Sequence, residues 1–327
     1  MAALGTTATA VFLDEYTPAG VFVQSIPLPT TGTTSLTAVG NATTEGFVTL
    51  SQDGSSLIFT GYRKDAGGTN PSSDTPATTN RVIASVGISG VVNTSVALTD
   101  PTGTIRSATT VNGTSFYVGL SSGVRYVASP GAASTSLQID NRNSREVLLV
   151  DNTLYASNGS TAITAKIQSY GPLPTTATTA TPLINLATGD AVNGISLFDL
   201  SPTVPGIDTI YALSTVENQL RKFTLDLGGS WALSGSTSAA SAQNLTGFAS
   251  GETVNLFLTT GAALRPFTDA TGYNGSIDGL ALDAAIASAA TNTAFRGVGL
   301  IPVPEPTTGI LCGLVMVAAF GTRRSRV

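Results

Sequence analysis

Histidine does not occur in this chain. Its absence removes the commonest general base, the commonest zinc ligand and every Ser-His-Asp or Cys-His nucleophile arrangement. Cysteine occurs once, as Cys312, so an intrachain disulfide and a cysteine metal cluster are both excluded. Surrounded by apolar residues and with no histidine to activate it, Cys312 reads as a small hydrophobe. Charge is scarce as well: 11% of residues are Asp, Glu, Lys or Arg, against roughly 25% in ordinary soluble domains. The formal net charge is -5, and no broad Lys/Arg patch precedes residue 321. Phosphate backbones are held by clustered cations, so a nucleic-acid partner is excluded. Gly67-Gly68 and Gly228-Gly229 lack the Lys-Ser/Thr ending or βαβ setting of a phosphate loop and read as turns.

What is present is apolar and turn-rich. With 42% hydrophobic residues and a mean hydropathy of +0.25, 327 residues can bury one large core or two ordinary ones. Gly, Thr, Ser, Ala and Val dominate, a composition that suits strands and tight turns and predicts an all-β body.

The segment EGFVTLSQDGSSLIFTGY at 45 to 62 is a strand, an Asp-Gly turn and a second strand. The unit recurs at 105 to 120 around Asn112-Gly113, at 144 to 159 around Asp151-Asn152, at 194 to 215 around a longer Pro-Gly turn and at 245 to 260 around Ser250-Gly251. FRGVGL at 295 to 300 is a first strand without a second. Phe47, Arg106, Glu146, Ile195, Thr246 and Arg296 mark the repeats, at spacings of 59, 40, 49, 51 and 50 residues. That is the period of a propeller blade. Each full repeat has room for two further strands: RVIASVGI with VNTSVALT, VRYVAS with TSLQID, AKIQSYG with TPLINL, and QLRKFTLD with SWALSG. A sandwich, the competing all-β architecture, has no such self-similarity.

The fold expectation is therefore a β-propeller of six blades over residues 1 to 301. Its last blade joins FRGVGL to the N-terminal strands AVFLDEYT (10 to 17) and GVFVQSIPL (20 to 28), so both termini close the ring. On this reading the closing blade has only three strands, and its missing strand lies upstream of Met1. Residues 65 to 80 and 175 to 181 read as polar surface connectors, and ALDAAIASAA at 281 to 290 as a short helix.

Residues 302 to 327 are organised differently. Val303-Pro304-Glu305-Pro306 is followed by an uncharged segment, TTGILCGLVMVAAFGT at 307 to 322, and then by Arg323, Arg324 and Arg326. Prolines at 302, 304 and 306 keep the preceding strip extended and readable by a protease. The 16-residue apolar segment falls short of the ~20 of a comfortable helical span, yet suffices if the arginines snorkel. Those arginines would stay cytoplasmic and leave the body outside. The combination closely resembles the PEP-CTERM sorting signal, which exosortases handle in exopolysaccharide-producing bacteria. VFLDEYTPAG, TTEGFVTLSQDG, DATGYNG and TNTAFRGVGLIPVPEP resemble exported bacterial proteins that join a propeller-like body to such a tail. The resemblance implies a transmembrane helix over 307 to 322, processing by an exosortase and residence in the cell envelope or outside it; it supplies no catalytic residues, and no cofactor is expected. MAALGTTATAVFLDEY has neither the basic start nor the apolar run of an export signal. The expectation is a chain shortened at its N-terminus.

Carboxylates are the remaining source of chemistry. Asp14 and Glu15 alternate on a strand, while Asp53, Asp140, Asp151, Asp226 and Asp269 sit at turns, where short side chains bond local backbone. Asp269, Asp278 and Asp283 with Asn274 follow no calcium-loop spacing. Tyr62, Tyr117, Tyr126, Tyr155 and Trp231 form either a sugar-stacking platform or blade core. The threonines cluster in loops rather than in the regular Thr-x-Thr arrays of an ice-binding face. Two functions follow: a noncatalytic surface or matrix protein whose faces bind exopolysaccharide or another protein, and, as the alternative, an exported carboxylate-based glycan-active enzyme.

Overall fold

A computed structural model of the chain describes residues 4 to 301 and 314 to 321. Among them there are strands and two short 3-10 turns but no α-helix. The chain opens with the hairpin β1 (Ala8–Tyr16) and β2 (Phe22–Pro27), followed by β3 (Thr37–Val39). Next come β4 (Thr49–Leu50), β5 (Ser56–Tyr62), β6 (Arg81–Gly87) and β7 (Val92–Leu98), paired in sequence order. Four separate four-stranded antiparallel sheets succeed them. These are β8 (Ile105–Thr109) to β11 (Leu137–Asp140) through β9 (Phe116–Leu120) and β10 (Gly123–Val127), then β12 (Ser144–Val150), β13 (Thr153–Asn158), β14 (Ala165–Pro172) and β15 (Thr181–Asn185). The third is β16 (Val192–Phe198), β17 (Thr209–Ser214), β18 (Gln219–Leu225) and β19 (Trp231–Ser238). The fourth is β20 (Ala242–Ser250), β21 (Thr253–Thr260), β22 (Ala263–Asp269) and β23 (Ala287–Ser288). β24 (Thr293–Ile301) and β25 (Leu314–Gly321) end the description.

This is an all-β propeller. The first strand of each unit lies against the first strand of the next, from β4 through β8, β12, β16, β20 and β24 and back to β4, so these strands surround an axis. Middle strands are buried on both faces because each sheet is stacked between two others. β9 is buried at every position of FYVGL, whereas the outer strand β15 leaves Thr181, Pro182 and Asn185 exposed. Six apolar clusters fill the layers between neighbouring units, and each large side chain buried there contributes roughly 1.5–3 kcal/mol.

The hairpin chemistry follows the sequence. Asp151 and Asn152 both adopt positive φ, 48° and 60°, as a two-residue turn matched to strand twist requires. Gly297, on β24, allows another close approach: a Cβ there would stand 2.2 Å from the Gly46 carbonyl oxygen.

Three expectations are corrected. Residues 281 to 290 are not a helix; Asp283, Ile286 and Ala289 donate their amides to Pro266, Leu264 and Ala262, drawing the segment along β22 as an edge. The apolar stretch 314 to 321 is not helical either. β25 pairs antiparallel with β24 on one side and with β1 on the other, from Val11–Phe320 to Tyr16–Val315. A short apolar run without caps suits a buried strand as well as a helix, and this slot gives its backbone partners on both edges. No helix among the described residues is long and apolar enough to cross a membrane. The row β24-β25-β1-β2 consequently has four strands rather than three, and β3 bridges it to β5 in one nine-stranded sheet. Val303, Pro304, Glu305, Pro306, Cys312, Arg323, Arg324 and Arg326 lie outside the described residues.

Candidate functional site: the axial channel

The residues that converge on the axis are polar ones at or just before the start of the first strands. Glu45 precedes β4, Arg106 sits on β8, Arg145 and Glu146 on β12, Asn193 on β16, Gln243 and Asn244 on β20, and Arg296 on β24. Arg106, Glu146 and Arg296 are repeat markers in the sequence, and the fold turns that periodic position into a ring of facing side chains.

Both acids in this ring are occupied by structural bonds. Glu146, 1% exposed, accepts the Ile195 amide at 2.7 Å and the Asn244 Nδ2 at 2.8 Å. Asn244 in turn accepts the Val298 amide at 3.0 Å, so one carboxyl ties three first strands together. Burial pushes the Glu146 carboxyl up to about 8 despite those two donors. Glu45, 3% exposed, accepts the Val39 amide at 3.3 Å and the Tyr62 hydroxyl at 3.0 Å. Burial raises it to about 7, against the lowering pull of those bonds and of Arg106 and Arg296.

The three cations differ in how they are held. Arg106 Nη1 donates to the Ser144 carbonyl at 2.7 Å and to Asn143 Oδ1. Burial and the neighbouring Arg145 guanidinium bring it down to about 9. Burial lowers Arg145 to about 10, and its Nε is buried with no hydrogen-bond partner among the described residues. Arg296 donates to the Gly40 carbonyl at 3.1 Å and to Gln243 Oε1 at 3.3 Å. All three guanidinium groups remain charged at neutral pH.

The two ends of the channel differ. Where the first strands begin, an open cavity of about 820 Å³ is lined by Arg145, Arg265 and Arg296 together with amides, hydroxyls, alanines and a glycine. Where those strands end, a cavity of about 330 Å³ is lined chiefly by apolar groups such as Leu148, Leu197, Phe198, Leu245 and Leu300, with Glu146 in its wall.

The remaining candidates lie elsewhere. Asp53, Asp140 and Asp226 accept the amides of Ser55, Arg142 and Ser230 as turn residues do. Asp14 and Glu15 are successive residues of β1, on its opposite faces as expected, and both are buried beside β25. Asp269 is paired with Lys222, while Asp278 accepts the Ser236 amide. Among the described residues no group of three or more His, Cys, Asp or Glu is placed to hold a metal ion. The aromatic residues are blade core: Tyr62, Tyr117 with Tyr126, and Tyr155 with Trp231 fall in three different clusters.

No protein-family model matches this chain, and no curated protein matches it in sequence. Solved structures do resemble it. A gluconolactonase from Xanthomonas campestris matches 86% of this chain and 89% of its own, with a TM-score of 0.51 at 10% identity. YCF48 bound to a D1 peptide covers 98% and 94% at 0.47 and 11%, and a nidogen–laminin complex 79% and 89% at 0.49 and 12%. At such identities the likeness to the lactonase is one of fold, and it agrees with the propeller architecture.

Proposed function

We propose that this is an exported cell-surface or matrix protein, sorted by an exosortase through Val303 to Pro306 and the basic end Arg323, Arg324 and Arg326, whose body binds exopolysaccharide or another surface protein without cleaving it. The body is a six-bladed propeller in this reading. The closed ring of first strands and the six apolar layers support that number, with β4 to β7 and β24-β25-β1-β2 counted as one blade each. Residues 307 to 322 meet the membrane before processing, and β25 forms when the segment is free to pair with the body.

The observation that carries the noncatalytic reading is the state of the two axial carboxylates. A glycan hydrolase needs a pair of acids open to substrate at roughly 5–10 Å. Glu45 and Glu146 are sealed at 3% and 1% exposure, and the four oxygens of the pair accept donors that hold strands together. The lactonase likeness rests on fold and supplies no reacting group.

Expression in hosts with and without an exosortase, followed by fractionation and mass spectrometry of the mature C-terminus, tests the sorting. Loss of everything beyond the Val303 to Pro306 region only in the exosortase host is the expected outcome; persistence of Arg323 to Val327 in both overturns it. Co-sedimentation with the host's exopolysaccharide, with reducing ends measured in parallel, separates binding from cleavage.

A further inference from the structure

The wide cavity where the first strands begin differs in charge from the chain as a whole. The chain carries a net charge of -5, yet this cavity gathers Arg145, Arg265 and Arg296 and has no Asp or Glu in its lining. Glu146, the acid nearest in sequence, lies behind the wall of the opposite cavity, and both its oxygens are committed to Ile195 and Asn244.

Arg145 is the central case. It forms no ion pair among the described residues, and its buried Nε has no hydrogen-bond partner there. A buried donor left unsatisfied is costly, and a guanidinium beside another guanidinium is more so. The backbone makes room for it nonetheless: a Cβ on Gly159 would fall 1.9 Å from Arg145 Nε. Gly159 therefore lets the guanidinium lie against the chain at the channel mouth. Arg265, half-buried at the rim, spends its Nε on the Asp283 carbonyl at 3.0 Å.

The other lining groups restrict the ligand further. The apolar part of the lining comes from alanines, with no larger apolar side chain, so it suits the shallow face of a sugar ring and has no deep apolar pocket for a bulky aliphatic or aromatic group. Thr43, Asn193, Asn218 and Ser241 put amides and hydroxyls in the lining, with Thr43, Asn218 and Ser241 exposed and the Asn193 Oδ1 without a partner among the described residues, and such groups match a ring of sugar hydroxyls. The volume, about 820 Å³, is in the range of ligand pockets, roughly 300–1,000 Å³. Guanidinium forks recognise planar carboxylates in two-point fashion.

We propose that this mouth is a binding site for an acidic saccharide, with Arg145 and Arg265 as the anion-recognising residues. The inference rests on the binding role of the body and names its ligand class.

Calorimetric titration of the purified full chain with a short oligogalacturonate, a size-matched neutral malto-oligosaccharide and a sulfated oligosaccharide tests it. The uronate is expected to bind about tenfold or more tightly than the neutral sugar, with affinity falling as salt rises. Arg145→Ala and Arg265→Ala should each weaken it by about tenfold or more. Arg145→Lys, which keeps the charge and loses the fork, should fall between. A higher affinity for the sulfated sugar assigns the anionic group to a sulfate source within the same class. Equal affinity for the neutral sugar, or unchanged uronate affinity in Arg265→Ala, overturns the inference while leaving the binding role intact. Arg265 lies at the rim, so this variant decides the matter even if Arg145→Ala fails to fold. Absence of binding to all three sugars also overturns it, and the co-sedimentation experiment then judges the broader role separately.

Discussion

The Nζ of Lys222 lies 2.7 Å from Asp269 Oδ2, with the two side chains 0% and 1% exposed. The pair joins β18 of one blade to the end of β22 in the next. Lys222 also donates to the Gly272 and Gly275 carbonyls, and the Tyr211 hydroxyl donates to the same carboxylate oxygen at 2.5 Å. Burial alone would raise Asp269, but the hydrogen bonds from Lys222, Thr271 and Tyr211 outweigh it and hold the carboxyl below its ordinary value. Lys222→Met leaves this buried charge uncompensated. It should cost about 3–5 kcal/mol in urea unfolding, and Lys222→Met with Asp269→Leu should recover part of the loss. Equal stability of the single variant and the parent would contradict the assignment.

The axial acids give the opposite pH dependence. Glu146 and Glu45 ordinarily titrate near 4.5 and are raised to about 8 and about 7 in the folded chain. Their protonated forms favour folding, so their contribution is fully present below 4.5 and is lost as pH rises to about 8. Denaturation midpoints measured from pH 5 to 9 should fall across that window, and Glu146→Gln should flatten the slope.

Close approach at the axis predicts a steric lesion. Gly297→Ala places its Cβ against the Gly46 carbonyl and the Val48 side chain, and overpacking of this kind costs about 1–3 kcal/mol. Calorimetry should show a lower melting temperature, whereas Gly113→Ala, in a turn with open space around it, should lose only the strain of its positive φ.

Removing residues 314 to 327 strips a partner from both β24 and β1. Amide exchange should accelerate along residues 11 to 16 and 293 to 301, while β9 and β13, in sheets of their own, keep their protection. Uniform acceleration over all blades would mean that β25 does not close the ring locally.

The repeat was legible because each hairpin carries local turn chemistry. Asp53-Gly54, Asn112-Gly113 and Asp151-Asn152 each join a first strand to its second as expected, and the eight further strand segments read from the sequence all form strands. The turn after Ser250 falls one residue later, at Gly251-Glu252. β22 and β23 were less visible. Ala287–Ser288 is an edge of two residues whose alanine-rich surroundings resemble a helix, and only its long-range bonds to β22 decide otherwise. β25 escaped for a related reason: a continuous apolar run has no periodicity with which to choose between strand and helix. The axial ring was half visible. Arg106, Glu146 and Arg296 recur with the repeat, but the Arg145 beside Glu146 becomes significant only when the first strands face one another.

If the tail is sorted as proposed, β25 makes the fold and the processing of this chain rivals for the same eight residues, Leu314–Gly321. Backbone groups of Leu314–Gly321 that complete β1 and β24 cannot simultaneously be held in a bilayer. If the tail is cut away, two parallel strands are left facing each other across one strand's width, each with a row of unmatched donors and acceptors. Sorting would then be more than delivery. The order in which docking and cutting occur would fix whether the released body carries a closed seam or an adhesive one.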